Sequence, residues 1–319
     1  RYDMSSQQEA VDLPLAPDEG IRDLAALATG YASLDHLATL RIAGEDAASF
    51  LHSQFTCDVN ALEVGNQIPG AYCNPKGRAI AVFHLLRDED GFLLLLPQDL
   101  ADTVMNRLRM FRMRAKVEID TLTDTRVIGH VGDYEATPSA LWMLDNYRSL
   151  TTAHEEASIA VTSGSERVLS SDYWRLSGIL AGDPQVFKAT SEAFIPQQIN
   201  LDLVGGVSFR KGCYPGQEII ARVRYLGRIK QRMIAAWLHN EGSNPEPGIG
   251  LFTPDRPDQK SGMVVDAVSS GATTWVSAMI PSDLLDRGDI HLGSADGPLL
   301  NRINLPYAMD RGEEKVKGK

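Results

Sequence analysis

The sequence contains little that would place the chain in a membrane, a disulfide framework or a metal centre. Its apolar runs, such as residues 92–96, are far too short to span a bilayer. The three cysteines, at positions 57, 73 and 213, are odd in number and lack the spacing of a disulfide scaffold. No Cys-x-x-Cys or His-x-x-x-His pair predicts a metal site, and residues 1–30 show no signal-peptide pattern. We therefore expect a cytoplasmic protein with free thiols, no membrane contact and no metal.

The chain also lacks the basic surplus of a general nucleic-acid binder, because its formal net charge is −11. Its basic residues nevertheless concentrate in two stretches, which we call the first and second basic islands. The first island, residues 106–116, holds five basic residues and no acid. The second island, residues 210–232, holds seven basic residues against one acid, Glu218. This clustering predicts either a localised anionic ligand, without direct nucleic-acid binding, or solvated helix faces paired with nearby acids.

Length and hydrophobic patterning predict an α+β chain that is followed by a β region. At 319 residues the chain suggests two or three domains. The first α+β segment is predicted to run strand, helix, hairpin, helix, strand, at residues 37–42, 44–55, 78–86 with 92–96, 98–114 and 117–119. A second segment is predicted to hold strand 127–131, a helix near 138–146, strand 173–176 and helix 219–225.

After residue 231 the texture changes to short alternating runs between turns rich in Gly, Pro and Asp, at residues 233–238, 262–268, 273–279 and 299–303. This pattern predicts a small β-barrel. We therefore divide the chain into a loosely held arm, two α+β segments, a barrel and a charged tail, at residues 1–30, 31–125, 126–230, 231–308 and 309–319.

The most informative stretch is the octapeptide Lys211-Gly212-Cys213-Tyr214-Pro215-Gly216-Gln217-Glu218. A type II turn is predicted over residues 214–217, since Pro215 presets a negative φ and Gly216 accepts a positive one. A helix would follow, with Glu218 in its first turn, where a carboxylate suits the helix dipole. Cys213 lies before that helix and beside Lys211 in sequence. It is therefore either an activated, ligand-contacting thiol or an inert cysteine in a structural turn.

With its surroundings, the octapeptide resembles the signature Lys-Gly-Cys-Tyr-x-Gly-Gln-Glu of the YgfZ family of folate-binding proteins. Three further blocks match that family, at residues 40–59, 72–78 and 199–209. The resemblance covers roughly residues 30 to 307. The family is similar in turn to the T-protein, the aminomethyltransferase of the glycine cleavage system.

The resemblance implies a fold of two interleaved α+β layers, ferredoxin-like and similar to the T-protein, with a small C-terminal β-barrel around a central channel. It implies tetrahydrofolate as the cofactor, with or without a polyglutamate tail. It also implies a monomer whose partners are iron–sulfur enzymes or their assembly proteins.

The candidate site residues follow from that resemblance. Cys213 and Lys211 are the candidate catalytic residues. The candidate folate-binding residues are the motif residues Gly216, Gln217 and Glu218, the aromatic Tyr214, Tyr225 and Trp174, the polar Gln54, Asp58 and Gln197, and the basic Arg222 and Arg224. The aromatic faces suit the rings, the polar groups suit the pterin edge, and arginines suit the glutamate tail. Each side chain also has an ordinary alternative, a core position for an aromatic residue or a turn cap for Asp58.

Other basic and polar residues carry weaker expectations. Arg228, and after it Arg109 and Arg112, are further candidates for the glutamate tail. The turn at residues 74–78 either joins a hairpin or lines the channel with Lys76 or Arg78 facing the ligand. His84 lies in an otherwise apolar strand and is expected to be a core or channel residue. Cys57 and Cys73 are expected to be structural.

Two functions compete. The first is a folate-binding accessory protein that sustains iron–sulfur enzymes, including those that thiolate tRNA. The second is a folate-dependent aminomethyltransferase, so enzymatic activity is left open. The transferases carry a glutamate in an Arg-x-Glu-x-Gly segment and lack the octapeptide cysteine, whereas this chain has Arg175-Leu176-Ser177-Gly178. Both departures favour the accessory protein.

Overall fold

The computed structural model of the chain describes residues 15–27, 29–123, 125–132, 142–154, 167–227, 229–239 and 244–309. Helices and strands are numbered here in chain order. Within these ranges the α-helices are α1 (Ile21–Leu27), α2 (Ala47–Gln54), α3 (Ala101–Arg112), α4 (Ser171–Ala181) and α5 (Gln217–Tyr225). The strands gather into three sheets, and the fold is therefore mixed α+β.

The first sheet has the strands β1 (Gly30–Ser33), β7 (Thr125–Val131), β8 (Trp142–Met143), β9 (Arg148–His154) and β10 (Arg167–Leu169). Their order is β10-β1-β7-β9-β8, and only the pair β1–β10 within this described sheet is parallel.

The second sheet has the strands β2 (Leu37–Ala43), β3 (Gln67–Cys73), β4 (Ala79–Asp88), β5 (Gly91–Pro97) and β6 (Glu118–Thr121). It is antiparallel in the order β3-β4-β5-β2-β6. β5 lies between β4 and β2, and its residues 92–97 are all buried, which explains why they are apolar without alternation. The hairpin predicted here is confirmed, with Asp88 paired to Gly91.

The third sheet has the strands β11 (Gln231–His239), β12 (Gly250–Phe252), β13 (Gly262–Ser270), β14 (Thr273–Pro281), β15 (His291–Leu292) and β16 (Asn301–Ile303). Their order is β15-β12-β13-β14-β11-β16. The four predicted strands of this region are confirmed as β11, β13, β14 and β16, to within a few residues at each end.

The predicted strand at residues 173–176 is wrong, because these residues lie inside helix α4. Ser170 caps the helix by accepting the N–H of Tyr173, and Gly182 ends it in a left-handed conformation with φ of 68°. Most of the helix is buried, so its apolar residues do not show the one-sided pattern of a surface helix.

The predicted helix near residues 138–146 is wrong where the structure describes it. Trp142–Met143 form β8 and pair with β9, and the following residues are a bend. Residues 133–141 lie outside the described residues. The helices predicted at residues 44–55, 98–114 and 219–225 are confirmed as α2, α3 and α5.

The N-terminal segment is packed where the structure describes it, contrary to the expected loose arm. Leu24 of α1 is fully buried, and the Tyr173 hydroxyl donates to its carbonyl at 2.6 Å. Leu15 and Ile21 join the same hydrophobic cluster, so apolar burial against α4 holds this segment in place. Residues 1–14 and 310–319 lie outside the described residues. No helix in the described ranges is long and apolar enough to cross a membrane.

Candidate functional site

The octapeptide forms the predicted turn and helix start. The Gln217 N–H donates to the Tyr214 carbonyl at 3.2 Å. Gly216 has φ of 81° and ψ of 1°, the values of the third residue in a type II turn. α5 begins at Gln217, and Glu218 lies exposed in its first turn. Tyr214 is buried beneath the turn, and Gln217 is half-buried.

Lys211 binds the end of helix α2. Its ammonium donates to the carbonyls of Phe55 at 2.6 Å, Cys57 at 3.0 Å and His52. These carbonyls lie at and just beyond the C-terminus of α2, where a cation is favourable. Burial lowers the pKa of Lys211 to about 8, and the ammonium lies 4.9 Å from the Tyr214 ring centroid. Lys211 therefore anchors the octapeptide to α2.

The motif block at residues 72–78 packs against the octapeptide. The turn at residues 74–78 joins β3 to β4, and the Asn74 side-chain oxygen accepts the N–H groups of Lys76 and Arg78. A Cβ atom on Gly216 would lie 2.4 Å from the Cα of Gly77, so the two turns touch at glycines. Arg78 donates to the Ala193 carbonyl at 2.6 Å. The turn is thus a packing partner of the octapeptide.

The three cysteines differ sharply in exposure. Cys213 is exposed, whereas Cys57 and Cys73 are buried. Burial raises the pKa of the Cys57 thiol to about 12 and raises the pKa of Cys73 as well. A thiolate is the reactive form, so only Cys213 of the three is open to a ligand or reagent in the folded protein.

The predicted tail-binding residues lie on the outer face of α5. Arg222 and Arg224 are exposed, and the Tyr225 side chain is 66% exposed. The Arg224 guanidinium lies 5.4 Å from the Phe209 ring centroid, and the Tyr225 ring meets the same ring edge-on at 6.2 Å. Arg228 lies outside the described residues.

Three predicted polar residues have structural partners within the protein. Gln54 donates to the Ser53 hydroxyl at 3.2 Å. Asp58 accepts the N–H of Ala61 at 3.3 Å and caps a short 3₁₀ turn, which is the alternative role considered for it. Gln197 is fully buried and donates to the Ile220 carbonyl of α5 at 2.7 Å.

A cleft runs between the three sheets, away from the octapeptide. Its larger compartment has a volume of about 360 Å³ and includes Gln67, Tyr147 and Tyr307 among its lining residues. A smaller inner compartment, of about 40 Å³, is lined by Trp174, Arg175 and Phe187 among others. Trp174 is therefore the member of the predicted folate-binding set that lines this cleft.

A charged partition separates the two compartments. Asp183 lies 3.1 Å from the Arg148 guanidinium and 3.3 Å from Nε2 of His84, and all three residues line both compartments. Burial alone would raise the pKa of Asp183, but His84 and Arg148 together hold it well below its ordinary value. Arg148 also binds Asp145 at 2.8 Å and lies over the Trp174 ring. The partition thus presents an ionised carboxylate to both compartments.

The inner compartment holds polar atoms that have no partner within the part of the chain that the structure describes. These atoms are Nε of Arg175 and Nδ1 of His36. Arg175 also binds Asp266 of β13, which ties α4 to the third sheet. Burial, and then Arg175, lower the pKa of His36 to about 4, so this imidazole is neutral at neutral pH. Buried polar groups of this kind are commonly satisfied by an ordered water or an ion.

Sequence reasoning missed most of this partition. His84 was expected to be a core or channel residue, and it lines the cleft. Arg148 and Asp183 are 35 residues apart and had no pattern that linked them. One signal was available in the sequence, since Asp183 directly follows Gly182, the glycine that ends the helix. An acid at the end of an apolar helix is a candidate for a buried ion pair.

Comparisons with known proteins agree with the motif. No family model matches the chain. The chain is 29% identical over 286 residues to an uncharacterized protein of Haemophilus influenzae, covering 88% of this chain and 98% of that one. It is 28% identical over 293 residues to the tRNA-modifying protein YgfZ of Vibrio atlanticus, covering 86% and 90%. The YgfZ protein of Yersinia pestis is 29% identical over 280 residues, covering 79% and 84%.

Among solved structures, the fold is similar to that of the glycine cleavage system aminomethyltransferase T from Bartonella henselae. The TM-score is 0.61 at 13% sequence identity, over 89% of this chain and 87% of that one. The resemblance predicted from the octapeptide is therefore confirmed, and the chain is a homologue of the YgfZ proteins with a mixed α+β fold like that of a T-protein.

Proposed function

We propose that this protein binds tetrahydrofolate in the cleft and acts as an accessory protein for iron–sulfur enzymes, including those that thiolate tRNA. Two observations support this role. The curated relatives are named tRNA-modifying proteins, and the octapeptide resembles the signature of the YgfZ family. The observation that carries the folate site is the ionised Asp183 at the boundary of a cavity of about 360 Å³.

The larger compartment suits the folate rings. Its volume of about 360 Å³ lies within the range of small-molecule sites, whereas the inner compartment of about 40 Å³ has room only for water. A pterin edge is rich in N–H donors, and a carboxylate accepts from such donors strongly. Tyr147 and Tyr307 also line the compartment and offer ring surface. We therefore place the rings there, with Asp183 as the acceptor.

The accessory role is favoured over aminomethyl transfer by a contact inside α4. Ser177 occupies the segment where the transferases carry their glutamate. Its hydroxyl is fully buried and donates to the Trp174 carbonyl of its own helix at 2.6 Å. No carboxylate from this position is therefore available to a substrate.

We also propose a finer architecture and location. The third sheet closes into a small barrel, since His291 of β15 bridges to Leu299, just before β16 at the other end of the strand order. The two α+β segments, residues 31–125 and 126–230, then correspond to the interleaved layers of a T-protein. The three free cysteines suit a reducing compartment, which supports a cytoplasmic location.

Calorimetric titration with tetrahydrofolate tests the site through two matched variants. Tyr147→Ala removes a ring from the larger compartment, and Tyr225→Ala removes an exposed ring from α5. Loss of a buried ring contact of roughly 1.5 kcal/mol should weaken binding about tenfold for Tyr147→Ala. Tyr225→Ala should bind as the wild type does. Weakening by Tyr225→Ala alone would place folate at the octapeptide, and no binding by the wild type would refute the proposal.

The accessory role is tested by complementation. Cells without this protein receive the wild type or Cys213→Ala, and the activity of an iron–sulfur enzyme is measured. Because Cys213 is exposed, the free energy of unfolding of the variant should lie within about 0.5 kcal/mol of that of the wild type. We expect it to lose most of the rescue. Full rescue would remove the thiol from the mechanism.

A further inference from the structure

Exposed apolar side chains concentrate at two neighbouring segments. The end of α3 carries Met110, Phe111 and Met113, and α5 with the residue after it carries Ile219, Tyr225 and Leu226. These are six of the ten exposed large hydrophobic residues among those that the structure describes. The other four are scattered singly, which is ordinary for a protein surface. We call these six residues and the cations around them the motif surface.

The same segments carry cations without acidic partners. Arg114, Arg210, Arg222 and Arg224 form no ion pair within the described ranges. Elsewhere in the islands, Arg109 and Arg232 do pair with acids, Asp120 and Asp202. The motif surface therefore carries four guanidinium groups without an acidic partner among the described residues, on a chain of net charge −11.

Helix α2 brings the two segments together. Ser53 and Gln54 of its last turn line a shallow depression together with Phe111, Met113 and Arg114. The carbonyls at the end of the same helix bind Lys211 of the octapeptide. Arg224 and Tyr225 of α5 pack on Phe209, whose neighbour Ser208 donates its N–H to the Thr56 carbonyl just beyond α2. Both segments thus lie near one helix end.

The backbone at Met113 adds an independent observation. Its φ of 47° and ψ of −107° lie in a region that favours glycine, yet the residue is a methionine that is 86% exposed. Backbone outliers of this kind cluster at functional sites. Methionine is also common on surfaces that adapt to a protein partner.

We propose that the motif surface docks an acidic protein segment that carries apolar side chains. Arg, Met and aromatic residues are the types enriched in the centres of protein interfaces. Met, Ile and Leu offer nothing to phosphates, and the net charge disfavours a polyanion, so a protein segment fits better than RNA. The inference deepens the proposed accessory role, on which it rests, by assigning the surface that meets the partner enzyme.

A defined peptide tests this surface by fluorescence anisotropy. The probe is an acidic amphipathic peptide of about 20 residues, long enough to form a helix, with leucines at helical spacing. Two comparison probes are its sequence isomer with scattered leucines and a single-stranded RNA of about 20 nucleotides. The proteins are the wild type, Arg222→Glu with Arg224→Glu, and Phe111→Ser with Met113→Ser. The control is Lys188→Glu with Arg256→Glu, which changes charge equally at exposed positions elsewhere.

We expect the wild type to bind the amphipathic peptide more tightly than its isomer or the RNA. Each motif-surface variant should weaken that binding by about tenfold or more, while the control leaves it unchanged. Absence of peptide binding, or equal loss in the control, would overturn the proposal. Tighter RNA binding that only the arginine variant abolishes would assign the surface to nucleic acid instead.

Tetrahydrofolate titration on the same variants separates this inference from the folate proposal. The motif-surface variants should retain wild-type folate affinity, because none of the four residues lines the cleft. Loss of folate binding by these variants would contradict the separation of the two sites. Failure of the wild type to bind folate would leave the peptide result standing alone and would refute only the folate site.

Discussion

The cleft and the motif surface use arginine in opposite ways. In the cleft, Arg148 binds Asp183 and Arg175 binds Asp266, and both acids are nearly inaccessible to solvent. On the motif surface, the arginines of α5 are exposed and have no acidic partner in the described chain. A buried charge without a partner is costly, whereas an exposed one is not. The ion pairs of the cleft therefore fix the positions of its side chains, whereas the surface arginines remain available to a partner.

This difference changes the meaning of the octapeptide. The octapeptide faces outward and is anchored by Lys211 to α2, while the cleft is built from residues outside it. The contact between Gly77 and Gly216 fixes the position of the motif on the second sheet. An anchored, exposed loop beside apolar residues suits recognition of a partner, whereas a cleft suits a small molecule.

The largest effect is expected from breaking the cleft partition. Asp183→Asn leaves Arg148, which is 4% exposed, with Asp145 as its remaining acidic partner, and should cost about 2–4 kcal/mol in the free energy of unfolding. The matched change on the surface is Asp120→Asn. The Asp120 side chain is 70% exposed and pairs with Arg109, so its loss should cost less than about 1 kcal/mol in the free energy of unfolding. Urea unfolding of both variants measures the contrast.

The pH dependence gives a control for this prediction. Since folding lowers the pKa of Asp183, its carboxylate stabilises the wild type above the ordinary aspartate pKa of about 4, and that stability is lost as the pH falls further. The Asn variant should lack this part of the acid sensitivity. If Asp183→Asn and Asp120→Asn lower the free energy of unfolding equally, the cleft partition contributes no more to stability than a surface ion pair does.

The second effect contrasts the thiols. With the pKa of Cys57 raised to about 12, its thiolate is scarcer than that of an ordinary cysteine by on the order of a thousandfold. Alkylation at neutral pH should therefore label Cys213 first and reach Cys57 and Cys73 only on unfolding. Mass spectrometry of a time course reads the order. Early labelling of Cys57 or Cys73 would show that the core beneath the octapeptide opens.

The third effect concerns the anchor of the motif. Lys211→Met leaves three carbonyls at the end of α2 without their donor and should destabilise the fold by about 1–3 kcal/mol. Lys188→Met, at an exposed lysine, should change stability by less than about 0.5 kcal/mol. Urea unfolding compares the two variants.

Titration supplies a second readout for Lys211. Burial and then Lys211 lower the pKa of His52, so the pKa of this imidazole should rise in Lys211→Met. Because the pKa of Lys211 is lowered to about 8 on folding, wild-type stability should rise between pH 8 and about 10.4, and the variant should lack this rise. If the pKa of His52 is the same in Lys211→Met as in the wild type, Lys211 does not occupy the end of α2 in solution.

The predictability of the structure follows the range of the interactions. The β4–β5 hairpin, α3 and the turn at residues 214–217 were predicted because their signals are local, in periodicity or turn chemistry. Helix α4 was missed because it is buried on most sides, although Ser170 and Gly182 mark its ends. Local caps were informative there, and the run of apolar residues was misleading.

The site was predictable only where it is continuous in sequence. The turn and the start of the helix were predicted from the octapeptide, which also contains the exposed cysteine. The cleft combines His84 of β4, Arg148 of β9 and Asp183 after α4, which no spacing rule connects. The same limit applies to Lys211, whose partner is a helix end 154 or more residues away in the chain rather than the neighbouring thiol.

The smallest effect is expected for the folate tail. The basic islands predict that polyglutamate strengthens binding, but Arg222 and Arg224 do not line the cleft, and Arg148 and Arg175 already bind aspartates. We therefore expect the mono- and pentaglutamate forms to bind within about threefold of each other, since exposed ion pairs contribute roughly 0.2–1 kcal/mol. Calorimetry at about 0.1 M and about 1 M salt, where the Debye length is about 10 and 3 Å, measures the difference. A salt-sensitive preference of more than about tenfold for pentaglutamate, abolished by Arg222→Glu with Arg224→Glu, would join the cleft to the motif surface through the tail of one ligand.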